Sequence, residues 1–456
     1  MVDFITSLFD LKDTDVDYCK EVVKGNKRFF YIQLVNRGKR CAACGTYSRY
    51  VKEYRNKQIT HSVFLNERST IIYHARRFVC PKCGSTFYED NPFSTQYTRI
   101  SDNTVKNTLQ LLKNYNETYS SVGRKVFLTK TLVMQIFDEH VQVERKQFST
   151  AIGIDEFYFS RHAKKKYALM IISLNKGYII DLLPSREKHK LSSYFRSIDK
   201  TERMKVKYIS IDMTENYRDV LKIYFPWAKI CVDPFHVIKL ISDALDQVRL
   251  RHLRKYKDAS RSDEYYLLKY QKRLLSQEVR YQQYSFVKKN HHFKYAINDY
   301  QKREMLFSIS HEIEDAWTLK ERYLFFNEEK LSPVERRETL ELLINDFIAS
   351  DIPEMISVGL TLSNWKEEIL NSFYTITKTI TDKNGNKIKK AVRVTSGPVE
   401  GRNKYIKILL KLANGYKNFG RFRNRAMYVL NAMEEPSDHR LPNNVKVVGK
   451  KRNNTF

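Results

Sequence analysis

The stretch 150–245 alternates strand-like and helix-like segments in one particular order, and that order constrains the fold more than any other feature. Ala151–Phe159, Tyr167–Leu174 and Tyr178–Leu183 are apolar, β-branched runs, the last two joined by the turn Asn175-Lys176-Gly177. A helical segment over 190–198 follows, then a strand Val206–Asp212, a helix over 217–224, a strand Lys229–Asp233 and a helix from Phe235. The order β-β-β-α-β-α-β-α predicts three strands able to pair antiparallel, then two joined by crossover helices. Acids sit at informative points. Asp155 lies among apolar residues in the first strand, and Asp212 and Asp233 close the fourth and fifth. Buried carboxylates are costly unless paired or bound to a metal, and strand ends of a mixed sheet converge on one place. A cluster there would repel itself unless a divalent cation neutralised it, and oxygen-only ligands favour magnesium or manganese. Glu156 alternates to the opposite face of the strand, which leaves Asp155 as the ligand.

Lys and Arg number 81 against 52 Asp and Glu, a net charge of +29. Such a surplus points to a polyanion, and nucleic acid fits better than a membrane because the cations run along the whole chain. With 42% hydrophobic residues the chain can bury a real core. No GxGxxG follows a strand and no GxxxxGK[ST] is present, which excludes dinucleotide and P-loop chemistry. No apolar run of about 18 residues predicts a membrane span, and the first residues do not read as a secretory signal. A cytoplasmic, nucleoid-associated protein is expected.

Cys41-Ala-Ala-Cys44 and Cys80-Pro-Lys-Cys83 are separated by 35 residues, each pair followed by glycine (Gly45, Gly84). Two such pairs place four thiolates on one zinc ion, a closed structural site with no open position for catalysis. Val63–Leu65 and Ser69–Tyr73 are candidate strands that bring the pairs together. Cys19 and Cys231 read as small buried hydrophobes. Downstream, Ser101 caps a helix with the stripe Val105, Leu109 and Leu112. Two short helices joined near Phe127–Thr129 read as a helix-turn-helix. Its second helix presents Lys130, Thr131 and Gln135 outward and buries Leu132, Val133 and Ile136.

The strand order and acids resemble the RNase H-like domain of DDE transposases. More closely, Gly153-Ile-Asp155-Glu-Phe, Ile209-Ser-Ile-Asp212-Met, Val232-Asp-Pro-Phe-His-Val-Ile-Lys239 and Ser396-Gly-Pro-Val-Glu400-Gly-Arg-Asn-Lys404 are similar to insertion-sequence transposases of the ISL3 family. The resemblance implies the catalytic triad Asp155, Asp212 and Glu400. In-line displacement at phosphorus suits two magnesium (or manganese) ions, with Asp155 bridging, Asp212 on one and Glu400 on the other. The resemblance keeps Asp233 and His236 near the site, either as a structural hydrogen-bonding pair or with His236 on the scissile phosphate. Arg402 and Asn403, within one helical turn of Glu400, are candidates for holding phosphate oxygens.

Glu400 follows Asp212 by 188 residues, more than one crossover needs. The region 241–375 has helical spacing and dense cations, among them Arg249, Arg251, Lys272 and Arg273, and reads as an all-helical insertion that covers the site and grips DNA. Most of its aromatic residues, Trp317 included, read as its own core. A β-hairpin with a turn at Asn384-Gly385 precedes the Glu400 helix, whose face carries Lys404, Lys407 and Lys411 and which ends at Asn414-Gly415. Arg421 and Arg423 lie in a basic run that reads as a further backbone contact. The expected layout is a multidomain α+β protein: a zinc-ribbon-like domain (1–98), a helix-turn-helix (99–145), an RNase H-like core (146–240 and 376–435) split by the insertion (241–375), and a flexible basic tail (436–456). The expected function is a DDE transposase. It binds the terminal inverted repeats of its own element on double-stranded DNA, cuts and joins strands, and works as a homodimer once DNA ends are paired. A DNA-binding regulator with an inert sheet, or a structure-selective nuclease on the same fold, are the alternatives.

Overall fold

The computed structural model describes residues 9, 11–62, 67–95, 99–160, 166–277, 287–381 and 386–432. The candidate strand 63–65, the turn at 384–385 and the basic tail lie outside them. The chain divides into two compact units, one of residues 1–144 with 404–434, the other of 145–403 with the C-terminal residues.

The first unit opens with a sheet that alternation in the sequence could have revealed. β1 (Val16–Lys24) and β2 (Lys27–Leu34) form a hairpin across Gly25, whose φ is +57°. β2 then pairs in parallel with β6 (Arg68–Val79), which pairs antiparallel with β5 (Val51–Thr60) and β7 (Thr86–Tyr88). Two-residue strands β3 (Lys39–Arg40) and β4 (Tyr47–Ser48) flank the first cysteine pair. Phe30, Ile32, Ile59, Ile71 and Tyr73 fill one face of the sheet with Phe9 and Phe93.

Three helices follow: α1 (Asp102–Leu111), α2 (Tyr119–Val126) and α3 (Lys130–His140). Ser101 caps α1 as expected, and the Thr118 and Ser121 side chains cap α2 reciprocally. The α2–α3 turn puts Phe127 in the left-handed region at φ 57°. Gly123 is required there, because a Cβ on it would stand 2.7 Å from the Leu128 carbonyl oxygen. Val133 and Ile136 are buried and Lys130, Thr131 and Gln135 exposed.

The second unit holds the mixed sheet. β8 (Ala151–Tyr158), β9 (Tyr167–Ser173), β10 (Ile179–Leu183), β11 (Tyr208–Ile211) and β12 (Lys229–Val232) lie in the order β10-β9-β8-β11-β12. β8–β9 and β9–β10 are antiparallel, and β8–β11 and β11–β12 are parallel. Helices α4 (Lys188–Ser197), α5 (Lys200–Arg203) and α6 (Glu215–Tyr224) make the crossovers.

The expected break near residue 240 falls inside one 22-residue helix, α7 (Pro234–Lys255). Among the described residues, seven more helices between Asp263 and Asn371 follow, together with a hairpin of two-residue strands at 288–289 and 296–297. Leu, Ile and Phe side chains of these helices join those of the mixed sheet in one continuous hydrophobic cluster, so the helical region shares the sheet's core. Its cations are largely engaged internally. Arg251 reaches Glu354 and Glu312, Arg249 and Lys272 meet Asp246, and Arg273 meets Asp299. Trp317 packs on the core beneath the Arg303 guanidinium, 4.6 Å from its ring centroid.

A two-stranded hairpin over 375–393, separate from the mixed sheet, leads to α15 (Gly397–Leu412). Its end is capped as expected, with Asn414 and Gly415 at positive φ and the Gly415 amide on the Leu410 carbonyl. The last helix, α16 (Phe419–Leu430), belongs to the first unit. Tyr416 and Tyr428 pack on the core formed by Val122, Val126, Val133 and Phe137.

Candidate active site and cysteine centre

Strand register builds the site. Ser210 pairs with Gly153 and Ile211 with Val232. Asp155 lies two residues beyond Gly153, Asp212 two beyond Ser210, and Asp233 one beyond Val232. The three carboxylates therefore stand level on three adjacent strands. Their proximity has an electrostatic signature. Burial, and then the charge of Asp212, push the Asp155 carboxyl up to about 6. Burial likewise raises Asp233. Glu156 turns to the other face as expected, accepting from Tyr217 Oη and from Arg186, at 2.6 Å.

The helix α15 is brought to these strand ends by four contacts. Ser396 Oγ lies 2.8 Å from Ser210 Oγ, and the Ser396 backbone hydrogen-bonds the Asp233 carboxylate. Val399 packs so closely on β8 that a Cβ at Gly153 would lie 2.5 Å from its Cγ2. Asn403 donates its amide to Asp155 Oδ2 and, at 3.3 Å, to the Glu156 carbonyl. Glu400 occupies the first turn, three residues before Asn403 and so on the same side of the helix. It is exposed, and its carboxylate has no hydrogen bond or ion pair among the described residues.

Several sequence expectations are corrected in detail. His236 pairs with Asp212, Nε2 to Oδ1 at 2.8 Å, and not with Asp233. Asp233 instead caps α7, accepting from the Phe235 amide. The hydrogen bond to Asp212, and then its charge, raise the His236 pKa against the opposing effect of burial. Arg402 and Asn403 are both buried, Arg402 on the Gly177 carbonyl at 2.9 Å, so neither presents a free donor to a phosphate. Arg421 is occupied by Asp138, with Nε 2.9 Å from both carboxylate oxygens, and Arg423 by the Val143 carbonyl at 2.6 Å. Arg425 is buried against the carbonyls of Asn114 and Glu117. The basic run is thus largely internal, because a buried guanidinium must find acceptors. Lys404 and Lys407 remain exposed.

The acids suit a divalent cation on the structure's own terms. Asp212 Oδ1 and Asn403 Oδ1 are buried without a well-directed donor, His236 approaching the first as an ion pair only. Oxygens left this way are ready to ligate. The carboxylates do not close to within 4.8 Å as a set among the described residues, as expected of uncompensated negative charges.

The cysteines do close. All four Sγ atoms lie within 4.8 Å of one another, with Cys41–Cys83 at 3.7 Å and Cys44–Cys80 at 3.5 Å. Four thiolates about 2.3 Å from one zinc would stand roughly 3.8 Å apart, so the cluster is sized for it. The two halves repeat one geometry. Gly45 and Gly84 have φ +73° and +71°, and each donates to the carbonyl of its leading cysteine. Hydrogen bonds from Ser85 pull the Cys83 thiol down to about 6.

Comparison with known proteins decides the family. Residues 152–394, more than half of the chain, match the family model for ISL3-type DDE transposases, described as "Transposase". The chain belongs to the ISL3-type transposase family. A stretch of 114 residues is 28% identical to the transposase for insertion sequence element IS1557 of Mycobacterium tuberculosis, in strains CDC 1551 / Oshkosh and H37Rv alike. That stretch is 25% of this chain and 25% of each relative, so the match spans about a quarter of the curated relatives. No described helix of this transposase-family chain is long and apolar enough to cross a membrane.

Proposed function

We propose that the chain is a DDE transposase that binds the terminal inverted repeats of its own element and cuts and joins DNA strands with divalent metal. The strand order β10-β9-β8-β11-β12, with an antiparallel half and a parallel half, supports reading this sheet as RNase H-like. The observation that carries the reading is the level placement of Asp155, Asp212 and Asp233, with α15 tied to the same strand ends by Ser396, Val399 and Asn403. Asp155, Asp212 and Glu400 would hold the metal, and Asp233 and His236 support them. Bound magnesium or manganese supplies an activated nucleophile and charge neutralisation at phosphorus. The chain's own part is placement. Asn403 fixes the Asp155 rotamer, and His236, 2.8 Å from Asp212 Oδ1, orients that carboxylate. Lys130, Thr131 and Gln135 face solvent on α3 and would read the repeat, with Lys404 and Lys407 on phosphates. Zinc in the cysteine cluster would fix the fold of the first unit. A homodimer forms once two DNA ends are paired, and the nucleoid is the expected site of action.

The test is cleavage of a DNA fragment carrying the element's own end, with magnesium, manganese or chelator. The expected result is metal-dependent cuts at the element boundary, lost in Asp212→Ala with end binding retained. Equal cutting by the variant overturns the assignment of the acids. Binding without cuts under any divalent ion overturns the enzyme reading in favour of a regulator.

A further inference from the structure

The sheet of the first unit has a second face that the reading above does not use. One face is core. The other is open over most of its extent, with Ile72 and Arg76 on β6 buried, and register assigns its residues: Tyr18 to Lys24 on β1, Lys27 to Gln33 on β2, Arg68 to Arg76 on β6 and Tyr54 to Gln58 on β5, in steps of two. Four adjacent strands each contribute a ring to it: Tyr18, Tyr31, His74 and Tyr54. Tyr18, Tyr31 and Tyr54 are 52%, 36% and 47% exposed, too open for core aromatics. Tyr54 and His74 stack face to face at 4.6 Å and 11°. From strand to strand the rings are offset by two residues, so they run along diagonals of the sheet roughly 7–8 Å from one residue to the next.

The free charge on this face is positive, since Glu89 is taken up by the Arg76 amide at 2.6 Å and guanidinium at 3.2 Å. None of those register positions carries an acid, while Lys20, Lys24, Lys27 and Arg68 are exposed and form no ion pair among the described residues. Asp17, at the bulge in β1, reaches the face but is taken up by Gln33 at 2.8 Å and Arg76 at 3.8 Å. Exposed rings with a cationic surround match one ligand chemistry, unpaired bases on a phosphodiester backbone. A duplex hides its base faces, and an acidic peptide would leave the rings unused.

We infer that this open sheet face is a platform for single-stranded DNA, stacking unpaired bases on Tyr18, Tyr31 and Tyr54 while Lys20, Lys24, Lys27 and Arg68 hold the backbone. It goes beyond end recognition by α3 and rests on the proposed function only in taking DNA as the polymer.

The experiment is fluorescence anisotropy of the full chain on a labelled oligothymidine of roughly 20 nucleotides in magnesium-free buffer. Tyr31→Ala and Tyr54→Ala should each weaken binding roughly 5- to 100-fold, the loss of one stacked base. Tyr31→Phe should stay near wild type, because stacking needs the ring and not the hydroxyl. Unchanged thermal midpoints confirm that the exposed positions tolerate the changes. Alanine variants that bind like wild type overturn the inference. So does an equal loss on duplex, which would mark a general phosphate patch, and so does tighter binding of RNA of the same length. Binding is read without divalent metal and no cleavage is scored, so failure of the catalytic reading and failure of this one are separable.

Discussion

Asn403 donates its side-chain amide to Asp155 across a sequence separation of 248 residues. It joins the buried acid of β8 to the helix that carries Glu400, and its own Oδ1 is buried with no partner. Asn403→Ala should leave DNA binding intact and lower cleavage on the order of 100-fold, the scale of a small misplacement of reacting groups. The metal concentration giving half-maximal activity should rise as well, a readout that mere loss of stability would not move. Unchanged metal dependence would count against a positioning role.

Gly153 tests the same placement from the other side. A Cβ there meets Val399 Cγ2 at 2.5 Å and Leu174 Cδ2 at 2.9 Å. Gly153→Ala should destabilise by about 1–3 kcal/mol, as overpacking does, and depress cleavage more than that loss explains. Pairing it with Val399→Ala should recover part of the activity, measured in the same cleavage assay. No recovery would mean that the α15 contact is not what the glycine serves.

The exposed and the engaged cations should separate in a salt titration of DNA binding. Lys404→Ala and Lys407→Ala should each lower the slope of log K against log salt by about 1. Arg421→Ala, which removes the partner of Asp138, should leave the slope alone and lower the thermal midpoint.

Glu202 gives a pH prediction. The Arg145 guanidinium forks onto both its oxygens at 2.7 and 2.8 Å, and the Phe148 amide adds a third bond, which together hold its carboxyl below the usual range. A folded pKa below the unfolded one contributes stability fully above the unfolded value, near pH 4.3, and loses it as pH falls through the folded pKa. Glu202→Gln should therefore cost roughly 1–3 kcal/mol at neutral pH, and its deficit should shrink in acid. Denaturant midpoints at pH 7 and pH 3 check this.

Cys80→Ser should drop metal content well below one zinc per chain and lower the midpoint of the first unit's transition, since the ion closes a long loop between Cys41 and Cys83. Full metal content in the variant would sink the four-thiolate site.

What was legible in the sequence follows the range of the interactions concerned. Period-two alternation locates β8, β11 and β12 and sends Glu156 away from Asp155, because strand geometry is local. The glycines after each cysteine pair are legible for the same reason. Partners of charged residues are not. Arg402, Arg421, Arg423 and Arg425 read as DNA contacts because their acceptors are backbone carbonyls or acids far away in sequence. The unbroken run of α7 past residue 240 was hidden because helix periodicity carries no sign of where a core ends. β1 and β2 left a usable signal, alternating residues around Gly25-Asn26.

The register of β8, β11 and β12 also sets what kind of change this gene can tolerate. Consecutive strand residues face opposite ways, so one codon gained or lost within β8 upstream of Asp155, or within β11 upstream of Asp212, turns the acid to the far side of the layer. The connections between these strands can grow or shrink, but the count of residues from the first paired position to each acid is fixed.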